Sequence, residues 1–348
     1  MRALVLVGGE GTRLRPLTLT QPKPALALVD RPFIRYLVDW VGRHGIDEVI
    51  MACGFRAEDL REALGDAVPG GPSIVYIEEE EPLGTAGPIR LAAEAGLLDE
   101  RFLVLNGDLL ADLDLTALQR AHDETGAVTT LALYPVEDPS SYGLVRRREG
   151  GAVAGFLEKP DPAEIDTDEV NAGAYVIEPS VIDLIPAGRP VSIEREIFPK
   201  LVGHGLYGLR LEGYWMDIGT PERYLQASWD IIEGTVQTEL EQIGGPWIAA
   251  GAHVSAAATV SARAVLRSGT RIDDGAMISG SVLLDGCSVG ADASVIDSIL
   301  AQRVEVGDGA TVSAGSVIGE RARVEAGAAV AEGARVAPGE VIGPEVAV

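Results

Sequence analysis

Cysteine is nearly absent: Cys53 and Cys287 are the only two in 348 residues, too few for a disulfide framework or a four-thiolate zinc site. That scarcity suits a reducing cytoplasm. Lysine is almost as rare, with Lys23, Lys159 and Lys200 set against 25 arginines, so each lysine marks a place where a compact ammonium is wanted rather than a planar guanidinium. No apolar run approaches the ~20 residues of a bilayer span. The opening run at residues 3–7 is too short for a signal segment and leads into glycines. Positive charge is in deficit as well: 28 Lys+Arg face 53 Asp+Glu, a formal net charge of −25. Such a surface repels polyphosphate backbones and anionic membranes, which argues against nucleic-acid and membrane partners. Any anionic ligand needs a locally positive pocket. With 47% hydrophobic residues, the chain is expected to be a soluble protein with enough core for two domains.

Aromatic residues are missing from the last hundred positions, since the four Trp, eight Tyr and five Phe all lie at or before Trp247. What remains there is rich in Gly, Ala, Val and Ser. Two architectures therefore meet near Gly244-Gly245-Pro246, and the expected division is a domain at 1–235, a linker at 236–247 and a second domain at 248–348. From Ile248 an aliphatic residue recurs every sixth position through Val254, Val260, Leu266, Ile272 and Ile278. After a slip the register resumes at Leu283, Val289 and Val295, and a second slip leads into Val306, Val312, Ile318, Val324, Val330, Val336 and Ile342. A six-residue period fits neither a helix nor a simple strand, but suits a parallel β-helix in which each aliphatic residue stacks on its equivalent in the next coil. Residues 248–342 resemble the hexapeptide-repeat, left-handed β-helix family. The resemblance implies contacts between subunits of a homo-oligomer, or regulation. Some relatives transfer acyl groups from coenzyme A using a histidine. His253 is the sole histidine of this segment, lacks the long loop insertion such sites use, and is expected to be a surface residue.

The first 135 residues alternate short apolar runs with amphipathic stretches. Residues 3–7, 48–52, 74–77, 102–105 and 128–134 read as strands. Residues 32–44 read as a helix with Phe33, Leu37, Trp40 and Val41 on one face, ended by Gly45. The alternation predicts an α/β fold with a doubly wound, mostly parallel sheet and ligands beyond the carboxyl ends of its strands. The first such end carries Gly8-Gly9-Glu10-Gly11-Thr12-Arg13-Leu14-Arg15-Pro16-Leu17. Glycines let backbone N–H groups approach phosphate oxygens, yet Leu14 breaks the dinucleotide fingerprint and a Walker loop would need Gly-Lys-Ser/Thr. A tight structural turn explains the loop equally well until Arg13 and the proline-flanked Lys23 are added.

The segment from Gly8 to Lys23, followed by Leu83-Gly84-Thr85-Ala86, Asn106-Gly107-Asp108, Phe156-Leu157-Glu158-Lys159-Pro160, Asn171-Ala172-Gly173 and Trp215-Met216-Asp217-Ile218-Gly219-Thr220-Pro221, resembles the sugar-nucleotide pyrophosphorylases. These are Rossmann-like nucleotidyltransferases that join a sugar 1-phosphate to a nucleoside triphosphate. The likeness covers roughly residues 1–230. Glu80-Glu81-Pro82-Leu83, Ser141-Tyr142-Gly143, the run from Ser192 to Pro199 and Tyr214-Trp215-Met216-Asp217 are similar to the subgroup that takes GTP and mannose 1-phosphate. Attack of a sugar-phosphate oxygen on the α-phosphorus would expel pyrophosphate in line, so charge neutralisation and alignment dominate the chemistry.

The resemblance implies a role for each matching residue. Asp108 and Asp217 would hold Mg²⁺, which takes few protein ligands and shares its substrate; each alone could be a helix cap or turn residue. Arg13 would sit near the departing pyrophosphate and Lys23 near the reacting phosphates. Leu6, Gly8, Gly9, Gly11, Thr12, Gly84 and Thr85 would line the nucleotide. Lys159 would grip the sugar phosphate, Glu158 would accept hydrogen bonds from sugar hydroxyls, and Asn171 and Gly143 would complete that pocket. Guanine presents N1–H and N2–H₂ side by side, so Glu80 or Glu81 could accept both on one carboxylate; the Glu78–Glu81 run also reads as a solvated acidic edge. Lys200 lies outside the motifs and reads as a solvated helix end. Three other readings stay open: ADP-, dTDP- or UDP-glucose formation on the same fold, a non-catalytic binding subunit, and a second acyl-transfer activity at His253.

Overall fold

The five aliphatic runs all form strands, in a computed structural model that describes residues 1–54, 56–158 and 160–344. In chain order the first elements are β1 (Arg2–Val7), α1 (Phe33–Arg43), β2 (Glu48–Cys53), α2 (Ala57–Leu64), β3 (Ser73–Glu78), α3 (Gly87–Glu94) and β4 (Phe102–Asn106). There follow α4 (Leu115–Thr125), β5 (Thr129–Pro135), β6 (Gly143–Arg147), β7 (Val153–Glu158), β8 (Glu169–Ile177), β9 (Leu206–Arg210) and α5 (Pro221–Glu233). The helix at α1 runs where its apolar stripe predicts, with Phe33, Leu37, Trp40 and Val41 all buried.

Strands β1 to β9 make one sheet in the order β7-β6-β8-β4-β1-β2-β3, with β5 beside β8 and β9 beside β5. Its β4-β1-β2-β3 portion is parallel, so four carboxyl ends share an edge. Beyond β4 the direction reverses: β8 runs antiparallel to β4 and β5, and β6 with β7 forms a hairpin. The turn between β6 and β7 is too short for a parallel crossover, which takes a dozen residues or more. The sheet is therefore mixed, with its parallel half matching the doubly wound expectation. Leu4, Ile50, Phe102, Val104, Tyr175 and Phe198 belong to one buried cluster on this sheet.

The chain divides into two units that are not consecutive in sequence: Met1–Gly9 with Leu37–Trp215, and Glu10–Tyr36 with Met216–Val348. The first holds the whole mixed sheet. In the second, residues 247–342 form three all-parallel sheets of two- and three-residue strands, the stacked coils of a left-handed β-helix. One stack runs Ile248, Leu266, Leu283, Leu300, Ile318 and Val336, each paired with the next. The two slips are five-residue steps, from Ile278 to Leu283 and from Val295 to Leu300. Periodicity alone passes over Leu300, which is fully buried in the stack.

Segment Glu10–Tyr36 packs with α5 and the β-helix inside the second unit. The Tyr224 hydroxyl of α5 donates to the Ala27 carbonyl, and Arg267 Nη1 from the coils donates to the Val29 carbonyl at 2.7 Å. Helix α5 is tied to the coils in turn. Trp229 Nε1 donates to the Gly280 carbonyl at 2.9 Å, and the Arg263 guanidinium lies 5.2 Å from the Trp229 ring and 2.6 Å from Glu233. Because Leu300 fills a stack with no room to collapse, Leu300→Ala is expected to lower unfolding stability by about 2–5 kcal/mol. Denaturant unfolding followed by far-UV circular dichroism measures it, and a loss near zero would place Leu300 outside the core.

Candidate active site

Each parallel strand of the first unit ends in a residue suited to ligand contact. Strand β1 ends before Gly8 and Gly9, β2 before Gly54, β3 before Glu79, and β4 at Asn106, which is followed by Gly107 and Asp108. The strand registers place Leu6 beside Asn106 and Cys53 beside Glu78. Gly8 has no spare volume: a Cβ there would lie 2.7 Å from Glu79 Oε1. Glu79 Oε2 accepts the Leu83 N–H at 2.8 Å. Burial pushes this carboxyl above the usual carboxylate range, and the Leu83 hydrogen bond offsets part of that. Glu80 and Glu81, the carboxylates assigned to guanine from sequence, are exposed. Glu79, which sequence reasoning passed over within an acidic run, is the one that meets the glycine loop.

A second group of residues in the same unit surrounds Tyr175 of β8, which is fully buried. Burial raises its phenol well above the ordinary value, and the negative charges of Glu194, Glu158 and Asp108 add to the effect. All three carboxylates thus act electrostatically on the Tyr175 hydroxyl. Asn171 Nδ2 donates to the Tyr175 hydroxyl at 2.8 Å, while Asn171 Oδ1 accepts the Gly173 N–H at 3.0 Å. The amide is fixed at both ends. Gly143 faces Glu158, whose Oε2 is 2.9 Å from where a Cβ would be. Trp215 closes this region by donating its indole N–H to the Ala172 carbonyl at 2.8 Å, with the Tyr134 and Tyr142 rings each 5.4 Å away. Lys159 lies outside the described residues.

The remaining assigned residues belong to the second unit. Gly11 adopts φ +62, and a Cβ on it would come within 3.1 Å of Lys23 Cβ, so the loop folds back on its own lysine. Thr18 Oγ1 closes the turn by donating to the Gly11 carbonyl at 2.9 Å. Lys23 is only 9% exposed, a rare degree of burial for an ammonium. Thr12 and Arg13 are exposed. The Asp217–Thr220 turn precedes α5, whose first turn is capped by Thr220 Oγ1 accepting the Arg223 N–H. Arg223 Nη1 also reaches Asp217 Oδ2 at 3.3 Å. Arg13 lies against this turn: its Nη2 is 2.5 Å from the position of a Gly219 Cβ. Arg13 is therefore a neighbour of Gly219, and Lys23 of Gly11, within one unit. His253 is exposed in the first coil.

Both carboxylates assigned to a metal carry hard oxygen donors. Among the described residues no helix is long and apolar enough to cross a membrane.

Residues 2–234 match the Nucleotidyl transferase family, and residues 243–347 match the GMPPB C-terminal domain. A mannose-1-phosphate guanylyltransferase of Mycobacterium tuberculosis is 39% identical over 294 residues, covering 83% of this chain and 81% of that protein. A UTP–glucose-1-phosphate uridylyltransferase of Synechocystis is 33% identical over 334 residues, covering 89% and 85%. The crystal structure of HddC from Yersinia pseudotuberculosis complexed with GMP-PN superposes with a TM-score of 0.56 at 26% identity, covering 66% of this chain and 99% of that one. With a match that takes in every assigned site residue, the chain belongs to the nucleotidyl transferase family, and it continues into a C-terminal domain of the GMPPB type.

Proposed function

We propose that the chain transfers a guanylyl group from GTP to mannose 1-phosphate, giving GDP-mannose and pyrophosphate. The observation that carries this reading is the Arg13 guanidinium set against Gly219, two residues after Asp217, in a loop that also folds Gly11 back on the buried Lys23; all of these residues belong to the family motifs. The higher identity to the Mycobacterium protein, 39% against 33%, and the GMPPB-type C-terminal domain support guanine and mannose. The likeness to the Synechocystis uridylyltransferase favours UDP-glucose as the second reading.

In the reaction a phosphate oxygen of mannose 1-phosphate forms a bond to the α-phosphorus as the bond to the β-bridging oxygen breaks, and pyrophosphate leaves. Arg13 offsets charge on the departing pyrophosphate from an exposed position, and Lys23 does so on the reacting phosphates from a buried one, where a preorganised cation is stronger. Leu6, Gly8, Gly9, Gly11, Thr12, Gly84 and Thr85 line the nucleotide. Glu79 is engaged by the Leu83 N–H, so the exposed Glu80 or Glu81 accepts the guanine donor pair. Glu158, Asn171 and Gly143 receive the sugar, and Lys159 holds its phosphate. Among the described residues no three acidic, histidine or cysteine side chains cluster so as to hold a metal by themselves, so a divalent cation would share its ligands with the substrate phosphates. Nucleotidyltransferases of this family typically use one. Asp108 and Asp217 would hold Mg²⁺, an ion that takes carboxylate, phosphate and water oxygens, and it would supply positive charge at the phosphates. The protein works in the cytoplasm as a homo-oligomer joined through its β-helix, and the β-helix has no acyltransferase activity.

Pyrophosphate release from GTP, ATP, UTP and dTTP, each with mannose and glucose 1-phosphates, identifies the substrate pair. GTP with mannose 1-phosphate is expected to lead, and a lead for UTP with glucose 1-phosphate would favour the second reading. Asp108→Asn is expected to cut kcat by roughly 100-fold or more without a change in far-UV circular dichroism, and chelation by EDTA is expected to abolish turnover until Mg²⁺ is restored. A wild-type kcat for that variant would dismiss the metal assignment. Gly219→Ala tests Arg13. Its new methyl displaces the tip of a flexible side chain and leaves the backbone alone, so kcat/KM should fall about tenfold or more at unchanged Tm.

A further inference from the structure

The run from Ser192 to Pro199 has no part in the reaction as described, yet it grips the nucleotide loop. Residues Ile193–Ile197 form a π-helical turn, a rare geometry that is frequent at functional sites. Four hydrogen bonds join residues 83–86 to residues 191–194, all inside the first unit. Two are backbone bonds: Val191 N–H to the Leu83 carbonyl and Ala86 N–H to the Val191 carbonyl, each 2.9 Å. They press Gly84 so close that a Cβ would lie 2.6 Å from the Val191 carbonyl oxygen, with φ at +74, a site only glycine fills without strain.

The other two bonds pass through one hydroxyl. Thr85 Oγ1 donates to Glu194 Oε2 at 2.6 Å and accepts the Ile193 N–H at 2.9 Å. Glu194 is itself held, because Ser192 Oγ donates to the same oxygen at 2.8 Å while accepting the Arg195 N–H at 3.2 Å. A charged acceptor shared by two hydroxyls makes short, directional bonds. Its charge also acts on the Tyr175 hydroxyl, which holds Asn171 of the sugar-binding group at 2.8 Å. One carboxylate thus braces the nucleotide loop on one side and stands beside the sugar-side pair on the other.

We propose that Glu194 is a positioning residue, which fixes the bend at Gly84 and Thr85 for the nucleotide through the Thr85 hydroxyl. The inference rests on the reading that this bend lines the nucleotide. A bend held in advance binds without a further ordering cost, so its loss weakens nucleotide binding more than it slows the chemical step.

Steady-state kinetics of the full chain test this, using the triphosphate that the wild type turns over fastest and both sugar 1-phosphates. Thr85→Val keeps the shape and removes the hydroxyl, and Glu194→Ala removes the acceptor. Each is expected to raise KM for the triphosphate by roughly tenfold, the worth of about one strong hydrogen bond, with kcat within threefold and the mannose-to-glucose ratio unchanged. Thr85→Ser and Glu194→Gln, which retain the bond, should recover most of the affinity, and Thr85→Val carries the test if Glu194→Ala fails to fold. A triphosphate KM within twofold of wild type in Thr85→Val and Glu194→Ala overturns the inference. So does a changed sugar ratio, which would make Glu194 a direct sugar contact. A wild type that consumes no triphosphate removes the proposed function and this inference together; an active wild type with unmoved KM values in the variants removes the inference alone.

Discussion

Repulsion between two phosphorylated substrates, on a protein that carries a formal net charge of −25, is the constraint to which the site residues answer. The bulk surface works against binding, so compensation has to be local. In the proposed reaction Lys23 would supply it from a buried position flanked by prolines, and Arg13 from beside Gly219. An ammonium withdrawn from water interacts with nearby charge more strongly than one in solvent, and it costs no reorganisation when the reaction begins. The carboxylates that act on Tyr175 sharpen the requirement, because their negative charge would oppose a sugar phosphate bound near them.

The division of the chain into two units gives the β-helix a structural purpose that needs no active site of its own. Segment Glu10–Tyr36, with Arg13 and Lys23, folds with α5 and the coils. Tyr224 and Arg267 hold its Ala27 and Val29 carbonyls, and Trp229 fastens α5 to the coils. The motif around Trp215 and Asp217 is divided in the same way: Trp215 is bonded to Ala172 in the first unit, and Asp217 belongs to the second. A contiguous signature can therefore be served by two separate packing environments.

Much of this was legible in the residues. The six-residue period announced the coils, because each aliphatic position stacks on its own equivalent and the pattern repeats without interruption except at two tightened turns. Those turns hid Leu300, whose five-residue spacing breaks the period that betrays its neighbours. The β1 to β4 strands were legible from their apolar runs, whereas the antiparallel half depends on a short connection between β6 and β7 that periodicity does not encode. At the site, strong motifs pointed to Arg13, Lys23, Asp108 and Asn171. Glu79 and Glu194 were not visible, because one sits within an acidic run and the other acts through a hydroxyl 109 residues away. Nothing local in the sequence distinguishes such carboxylates from solvated ones.

The account stands most directly on the buried ammonium. With GTP and mannose 1-phosphate saturating and Mg²⁺ present, pyrophosphate release by Lys23→Gln, a variant that keeps a polar side chain of similar length and loses the charge, measures what that charge contributes. The account predicts a fall in kcat of roughly 100-fold or more at unchanged Tm. A kcat within threefold of wild type would contradict it.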